Sequence, residues 1–310
     1  MELICCENSI YSAISFIILL GNPIKTLSME FPQEFMDDPN YDYPHPNAAS
    51  GYALFKSKDA ISKCLEKERV YDPIKVDRIY KSYESCYYTS DQPLPEGVRR
   101  PFIAFESNNR KIKETVSRYV AEKLNAKYLS IPPKCMAHLT FSFDKGLQLR
   151  NAFYALSLYP LAFQARQFIS QDIPVISNGY YFEQACYIIG KIFKRPGELP
   201  RRGASVYKEP SDLMMPDIVI YLNYPDIVRN ERVDNQKVPG FVPKKNQIYM
   251  KFNYPNIVIV DASKGLISTY NDIMEKMSCI LGDKFNLNPK PHVEIENSLF
   301  NVSSQKMYKL

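Results

Sequence analysis

The chain has 310 residues, which at about 150 residues per domain allows two small domains or one domain with a long extension. Apolar residues make up 45% and charged residues 24% of it, an ordinary globular composition that excludes a disordered, collagen-like or coiled-coil protein. The net charge of +5 is mild and no block of like charges occurs, so we expect no nucleic-acid partner. Only 11 residues are glycine, about half the usual share, which leaves few places where the backbone could wrap around a phosphate.

The first 28 residues form an apolar N-terminal segment. Its longest apolar run, residues 10–20, is about eleven residues long and too short to span a bilayer. Glu2 and Glu7 precede this run, where a secretory signal would carry positive charge, so we expect neither a membrane span nor a secretion signal. Met29 is an alternative start, in which case residues 1–28 are an artefact of gene assignment.

Residues 29–98 form an extension rich in proline and tyrosine. Within it, the spacing of apolar residues predicts a helix over 57–67 that begins at a Ser57 cap, and a second helix over 77–87. The segment 91–101, with three prolines and a glycine, is typical of a linker into the next domain. The extension is therefore expected to consist of loops and helices without a core of its own.

From residue 99 to 282 the pattern changes to alternating strands and helices. Short apolar runs predict strands at 101–106, 126–133, 173–177, 217–223 and 256–263. Helical periodicity between them predicts helices over 113–124, 148–170 and 181–192. Strands this apolar are buried on both faces, so the fold class is a three-layer α/β domain with a parallel sheet. Residues 283–310 are expected to be a polar surface tail.

The seven cysteines are scattered, no Cys-x-x-Cys pair occurs, and the chain has only three histidines. A zinc site and a disulfide framework are therefore not expected, and the cysteines are interpreted as reduced, buried thiols. This pattern indicates an intracellular protein, with the cytoplasm and the mitochondrion both left open.

The loop after the first strand is where an α/β fold binds phosphate. A working phosphate loop reads G-x-x-x-x-G-K-[ST], because glycines let the backbone N–H groups point inward and the hydroxyl holds magnesium. Here the glycine positions are Ser107 and Ile112, Lys113 is retained, and the hydroxyl position is Glu114. Taken alone this is a failed match, and it favours a surface loop with basic side chains.

The segment FIAFESNNRKIKETVSRYVAEKL nevertheless resembles the opening of the thymidylate kinase family, the P-loop nucleoside monophosphate kinases. The resemblance is closest to the mitochondrial UMP-CMP kinase branch. Similar blocks follow in the same order at 126–136, 149–166, 174–187, 206–222 and 256–263. The resemblance covers roughly residues 99–280 and implies a P-loop kinase-like fold.

The resemblance also implies roles for individual residues. ATP-binding positions would be Lys113, Thr115, Arg110, Asp261 and Ser263. Substrate-binding positions would be Arg150, Phe153 and Tyr180, and lid positions would be Arg229 and Arg232. Each also has a plain structural interpretation, in which the charged residues form solvated surface and the two aromatic residues belong to the core.

The chain departs from the family where the chemistry is done. Asn109 replaces an acidic residue of the loop, and Asn178 and Gly179 replace the Asp and Arg of the family's Asp-Arg-Tyr. Phosphoryl transfer depends on positioned charge around magnesium and phosphate. We therefore assign no catalytic residue and no metal ligand, and ATP and Mg²⁺ would be cofactors only of an active protein.

Three hypotheses follow. The first is a pseudoenzyme that binds a protein partner, a second copy of itself or a nucleotide. The second is a divergent but active kinase of dTMP or of UMP and CMP. The third is a structural subunit whose arm, residues 30–95, wraps a neighbouring protein.

Overall fold

The computed structural model describes residues 54–143, 148–193, 195–224 and 244–289. The predicted N-terminal segment, residues 29–53 of the extension and residues 290–310 of the C-terminal tail lie outside these residues. Arg229 and Arg232 also lie outside them. In the part of the chain that is described, no helix is long and apolar enough to cross a membrane.

The described residues form a five-stranded parallel sheet with the order β2-β3-β1-β4-β5. Its strands are β1 (Phe102–Ser107), β2 (Lys127–Ser130), β3 (Val175–Asn178), β4 (Ile218–Asn223) and β5 (Asn256–Asp261). Each observed strand lies inside a predicted strand or extends past its end by one residue. The central strand β1 is buried along its whole length, because helices cover both faces of the sheet.

Nine helices accompany the sheet in the described residues. They are α1 (Lys58–Arg69), α2 (Pro73–Glu84), α3 (Arg110–Lys123), α4 (Lys134–Ala137), α5 (Gln148–Leu156), α6 (Leu158–Ser170), α7 (Tyr181–Ile192), α8 (Lys244–Tyr249) and α9 (Leu266–Leu281). Buried residues of α6 and α7 pack on one face of the sheet, and those of α3 and α9 pack on the other. The predicted three-layer α/β architecture is confirmed.

Two helix predictions differ from the structure. The single helix predicted over 148–170 is two helices, which are separated at Ser157. The helix is interrupted there because Pro160 has no N–H to bond the carbonyl of Leu156. The helix predicted over 77–87 begins earlier, at Pro73. There the side chain of Asp72 accepts a hydrogen bond from the Lys75 N–H, which caps the helix.

The helices of the extension pack on the α/β domain. The Ser57 side chain caps α1 as predicted by accepting from the Ala60 N–H at 3.1 Å. Apolar residues of α1 and α2 share one buried cluster with α5, including Leu65, Val76 and Phe153. Over its described residues the arm therefore packs on its own chain, so the structure gives no support there to the idea that it wraps a neighbour.

Lys56 ties the start of the described extension to the domain. Its buried ammonium donates to the Tyr181 hydroxyl at 3.1 Å and to the carbonyls of Val206 and Lys208 at 3.0 and 2.5 Å. Burial lowers the pKa of Lys56 to about 7. Three acceptors around one ammonium indicate a structural contact rather than an exposed reactive amine.

The expectation of reduced thiols is wrong for Cys86 and Cys135, which form a disulfide with a Cα–Cα distance of 5.5 Å, and for Cys279, which is also disulfide-bonded. Cys86 lies just after α2 and Cys135 lies in α4, and these two helices pack together. The sequence holds no signal for this pair, because 49 residues separate the cysteines and only helix packing brings them together.

Candidate functional site

The loop after β1 is much shorter than a phosphate loop. Strand β1 ends at Ser107 and α3 begins at Arg110, so only Asn108 and Asn109 lie between them. The Asn109 side chain accepts from the Ile112 N–H at 3.1 Å and caps the helix. The second half of the stretch that would surround a phosphate is therefore the first turn of a helix.

This short loop is bonded to the neighbouring strand β4. The Ser107 hydroxyl donates to the carbonyl of Leu222 at 2.6 Å. The Asn108 side chain bonds both backbone groups of Tyr224, donating at 2.5 Å and accepting at 2.9 Å. Lys245 of α8 donates to the Ser107 carbonyl at 3.1 Å. The polar groups of the loop thus have protein partners rather than facing an open cradle.

Lys113 points inward from the first turn of α3. Its side chain is only 7% exposed, and its ammonium pairs with the Glu183 carboxylate at 2.5 Å. Glu183 lies in the first turn of α7, so its carboxylate is also close to the positive end of a helix dipole. A lysine and a helix N-terminus are the surroundings that favour a bound phosphate. Here the protein's own carboxylate occupies them.

Gly179 makes room for this ion pair. Its φ of +90° lies in the region that favours glycine, and a Cβ placed on it would collide with Glu183 Oε2 and lie 3.2 Å from Lys113 Nζ. The family has an arginine at this position, which would not fit in the present arrangement. Beside it, Asn178 ends β3, and its buried Oδ1 has no hydrogen-bond partner among the described residues.

We expect Gly179→Ala to destabilise the protein by about 3 kcal/mol, because the substitution adds backbone strain and displaces an ion pair whose lysine is buried. Gly97→Ala is the matched control: its φ is +76° but nothing lies within 4 Å of the added Cβ. It should cost only about 1 kcal/mol. Urea unfolding of both variants measures the difference. Equal losses would show that Gly179 is needed for its φ alone.

Glu106 is a buried acidic side chain at this end of the sheet and was not among the site residues predicted from the sequence. It is fully buried at the end of β1, and its Oε2 accepts a hydrogen bond from the Tyr249 hydroxyl. Burial, reinforced by the negative charge of Glu183, raises the pKa of Glu106 to about 8. A lone acidic residue inside an otherwise apolar predicted strand was the signal that could have identified it.

The remaining ATP-site candidates do not join Lys113. Arg110 and Thr115 are exposed on α3, and Glu114 pairs with Arg118 on the same helix. The Asp261 carboxylate accepts from both the backbone N–H and the hydroxyl of Ser263, at 2.9 and 2.6 Å. These hydrogen bonds lower the pKa of Asp261. Asp261 and Ser263 are both exposed, and they form a local turn at the end of β5.

The substrate-site candidates are placed apart from one another. Phe153 is fully buried in the cluster that α5 shares with the extension. Tyr180 is also fully buried, and its hydroxyl donates to the Met214 carbonyl at 2.6 Å. The Arg150 guanidinium lies over the Tyr154 ring, 5.5 Å from its centre. Phe153 and Tyr180 therefore occupy core positions. Neither of them lines a cavity described in this structure.

The residues present do not fit a bound Mg²⁺–ATP. The expected lysine is already paired with Glu183, the hydroxyl position is Glu114, and the first turn of α3 occupies the loop. Across residues 54–143, 148–193, 195–224 and 244–289, no group of three or more His, Cys, Asp or Glu side chains could hold a metal ion. No reaction step is therefore derived through ATP or magnesium.

Comparison with known proteins finds similarity to a nucleoside monophosphate kinase over about half of the chain. The chain is 28% identical over 174 residues to UMP-CMP kinase 2, mitochondrial, of Homo sapiens, a match that covers 52% of this chain. It spans only 39% of the length of that relative. No family model matches the chain.

Among solved structures, a thymidylate kinase from Candida albicans gives a TM-score of 0.43 at 17% sequence identity. The match covers 58% of this chain and 92% of that chain. The sequence match to the human relative confirms the resemblance to the nucleoside monophosphate kinases.

Proposed function

We propose that this protein is a pseudoenzyme with the nucleoside monophosphate kinase fold, in which the phosphate site is closed by the chain itself. The observation that carries the proposal is the ion pair between Lys113 and Glu183. The ammonium that would contact the phosphates of ATP instead neutralises an internal carboxylate. Because that carboxylate is part of the fold, a phosphate has to displace it before it can bind.

The neighbouring geometry supports the same conclusion. A phosphate also needs backbone N–H groups that point at it, and these come from a loop with glycines. In this chain the N–H of Ile112 bonds Asn109 Oδ1, and the N–H of Lys113 bonds the Asn109 carbonyl at 3.0 Å. ATP binding would therefore require both a displaced carboxylate and an unwound helix turn.

The alternative is a divergent active kinase that rearranges on binding ATP. Glu183 has 39% of its side chain exposed and could turn toward solvent, which would leave Lys113 available. The relative's name describes that protein as a mitochondrial UMP-CMP kinase. On this alternative, UMP or CMP and a mitochondrial location would follow for the present chain. On the proposed function, its ligand is a protein partner or a nucleotide that is bound without turnover.

Removing the Glu183 charge tests the proposal. We expect the unmodified full-length protein to bind ATP and pyrophosphate weakly and to form no ADP with dTMP, UMP or CMP. Glu183→Gln keeps the shape of the side chain but leaves the Lys113 ammonium unneutralised, so pyrophosphate affinity should rise about tenfold. Titration calorimetry with and without Mg²⁺ gives the affinities, and a coupled assay gives ADP formation.

Glu114→Gln is the control, because it makes the same charge change on the exposed face of α3, where Glu114 pairs with Arg118. It should leave pyrophosphate affinity unchanged. A gain shared by both variants would be a general charge effect and would count against an occluded site. Magnesium-dependent ADP formation by the unmodified protein would establish the active kinase instead.

A further inference from the structure

A cavity lies away from the Lys113–Glu183 pair, between the extension and the α/β domain. Its volume is about 450 Å³, within the range of about 300–1,000 Å³ that small-molecule pockets occupy. Lys58, Tyr83, Tyr87 and Asp91 line it from the extension. From the domain it is lined by Tyr159, Ala162, Arg166, Asp212, Leu213 and Met214. We call it the tyrosine pocket.

Three of the four charged side chains that line the tyrosine pocket, those of Asp91, Arg166 and Asp212, already have partners. The Arg166 guanidinium makes two hydrogen bonds to the Asp91 carboxylate, at 3.0 and 2.9 Å. One Asp212 oxygen accepts from the Tyr159 hydroxyl and the other from the Lys58 backbone N–H, both at 2.8 Å. An ionic ligand could bind these three groups strongly only by breaking existing pairs.

The uncharged surface of the pocket favours a flat ring. Three tyrosines contribute aromatic area, and Ala162, Leu213 and Met214 contribute apolar surface. Tyr87 is held in place on both sides, since its ring packs 4.9 Å from that of Phe163 and its hydroxyl donates to the Tyr83 hydroxyl at 2.8 Å. Fixed aromatic side chains stack well on planar ligands, because little side-chain entropy is lost on binding.

We infer that the tyrosine pocket binds an uncharged molecule that carries a planar heteroaromatic ring, as nucleosides do. Four of its ten lining residues come from the extension, outside the stretch that resembles the kinases, and none of the ten belongs to the loop after β1 or to the Lys113–Glu183 pair. The inference is independent of whether Lys113 is occluded. It gives the extension a role in ligand binding in addition to packing.

Titration calorimetry on the full-length protein tests this inference with adenosine and thymidine as neutral probes. Their monophosphates, AMP and dTMP, carry the same rings with negative charge, and tryptamine is an aromatic cation. We expect at least one nucleoside to bind, and its monophosphate and tryptamine to bind at least fivefold more weakly. Tighter binding of either charged class, or no nucleoside binding at millimolar concentration, would overturn the inference.

Variants locate the site. Tyr87→Ala should weaken nucleoside binding about tenfold because it removes a stacking surface, whereas Tyr87→Phe should retain binding within about twofold. Tyr187→Ala is the control, since Tyr187 is an exposed tyrosine of α7 outside the pocket. Unchanged binding by Tyr87→Ala would place the ligand elsewhere. The comparison of charged with neutral probes needs no variant, so the test stands even if Tyr87→Ala does not fold.

Discussion

Raising the pH from 4.5 to 8 is expected to remove roughly 4 to 5 kcal/mol of folding free energy through Glu106 alone. Glu106 keeps its proton in the folded protein up to a pKa of about 8, whereas the usual value is 4.5. Its contribution is therefore complete below pH 4.5 and is lost as the pH rises through 8. The physical cause is that ionising a fully buried carboxyl group is costly, and the charge of Glu183 adds to that cost.

The comparison with Glu106→Gln isolates this contribution. Glutamine mimics the protonated acid and does not ionise, so urea unfolding between pH 5 and 8 should show a much flatter dependence for the variant. Lys56 has a lowered pKa of about 7, so its contribution to the free energy of unfolding rises with pH above that value. Both proteins contain Lys56, so its effect cancels in the difference. Parallel pH profiles would show that Glu106 is already ionised in the fold.

Replacing Cys86 and Cys135 together by alanine is expected to lower the free energy of unfolding by about 4 kcal/mol. The disulfide spans 49 residues of sequence, and its loss lets the unfolded chain explore many more conformations. The bond joins the extension to the α/β domain, so the helices of the extension should be the part most affected. Urea unfolding of the variant against the unmodified protein measures the loss.

Single variants provide the control for the disulfide. Cys86→Ala alone removes the bond as completely as the double substitution does, so the two losses should agree within about 1 kcal/mol. Cys186→Ala removes a buried cysteine outside this pair and should cost only the packing of one small side chain. A double variant as stable as the unmodified protein would show that the bond does not form in solution.

Local sequence patterns were enough to predict the architecture. Each buried strand is an apolar run with clear ends, and each long helix has an apolar face, so strand number and the three-layer arrangement could be read without the structure. Local chemistry also accounts for the details that were missed. The break between α5 and α6 follows from Pro160, and the early start of α2 follows from Asp72 and Pro73.

Sequence by itself determined that residues 107–114 do not match the phosphate-loop pattern at its glycine and hydroxyl positions, since that pattern is local. Only the tertiary structure decided what replaces them. Lys113 meets Glu183 across 70 residues of sequence, and Tyr249 meets Glu106 across 143. These partners come together because parallel strands end at the same edge of the sheet, where the following helices converge. Periodicity reports which face of an element is buried, but not which distant side chain lies against it.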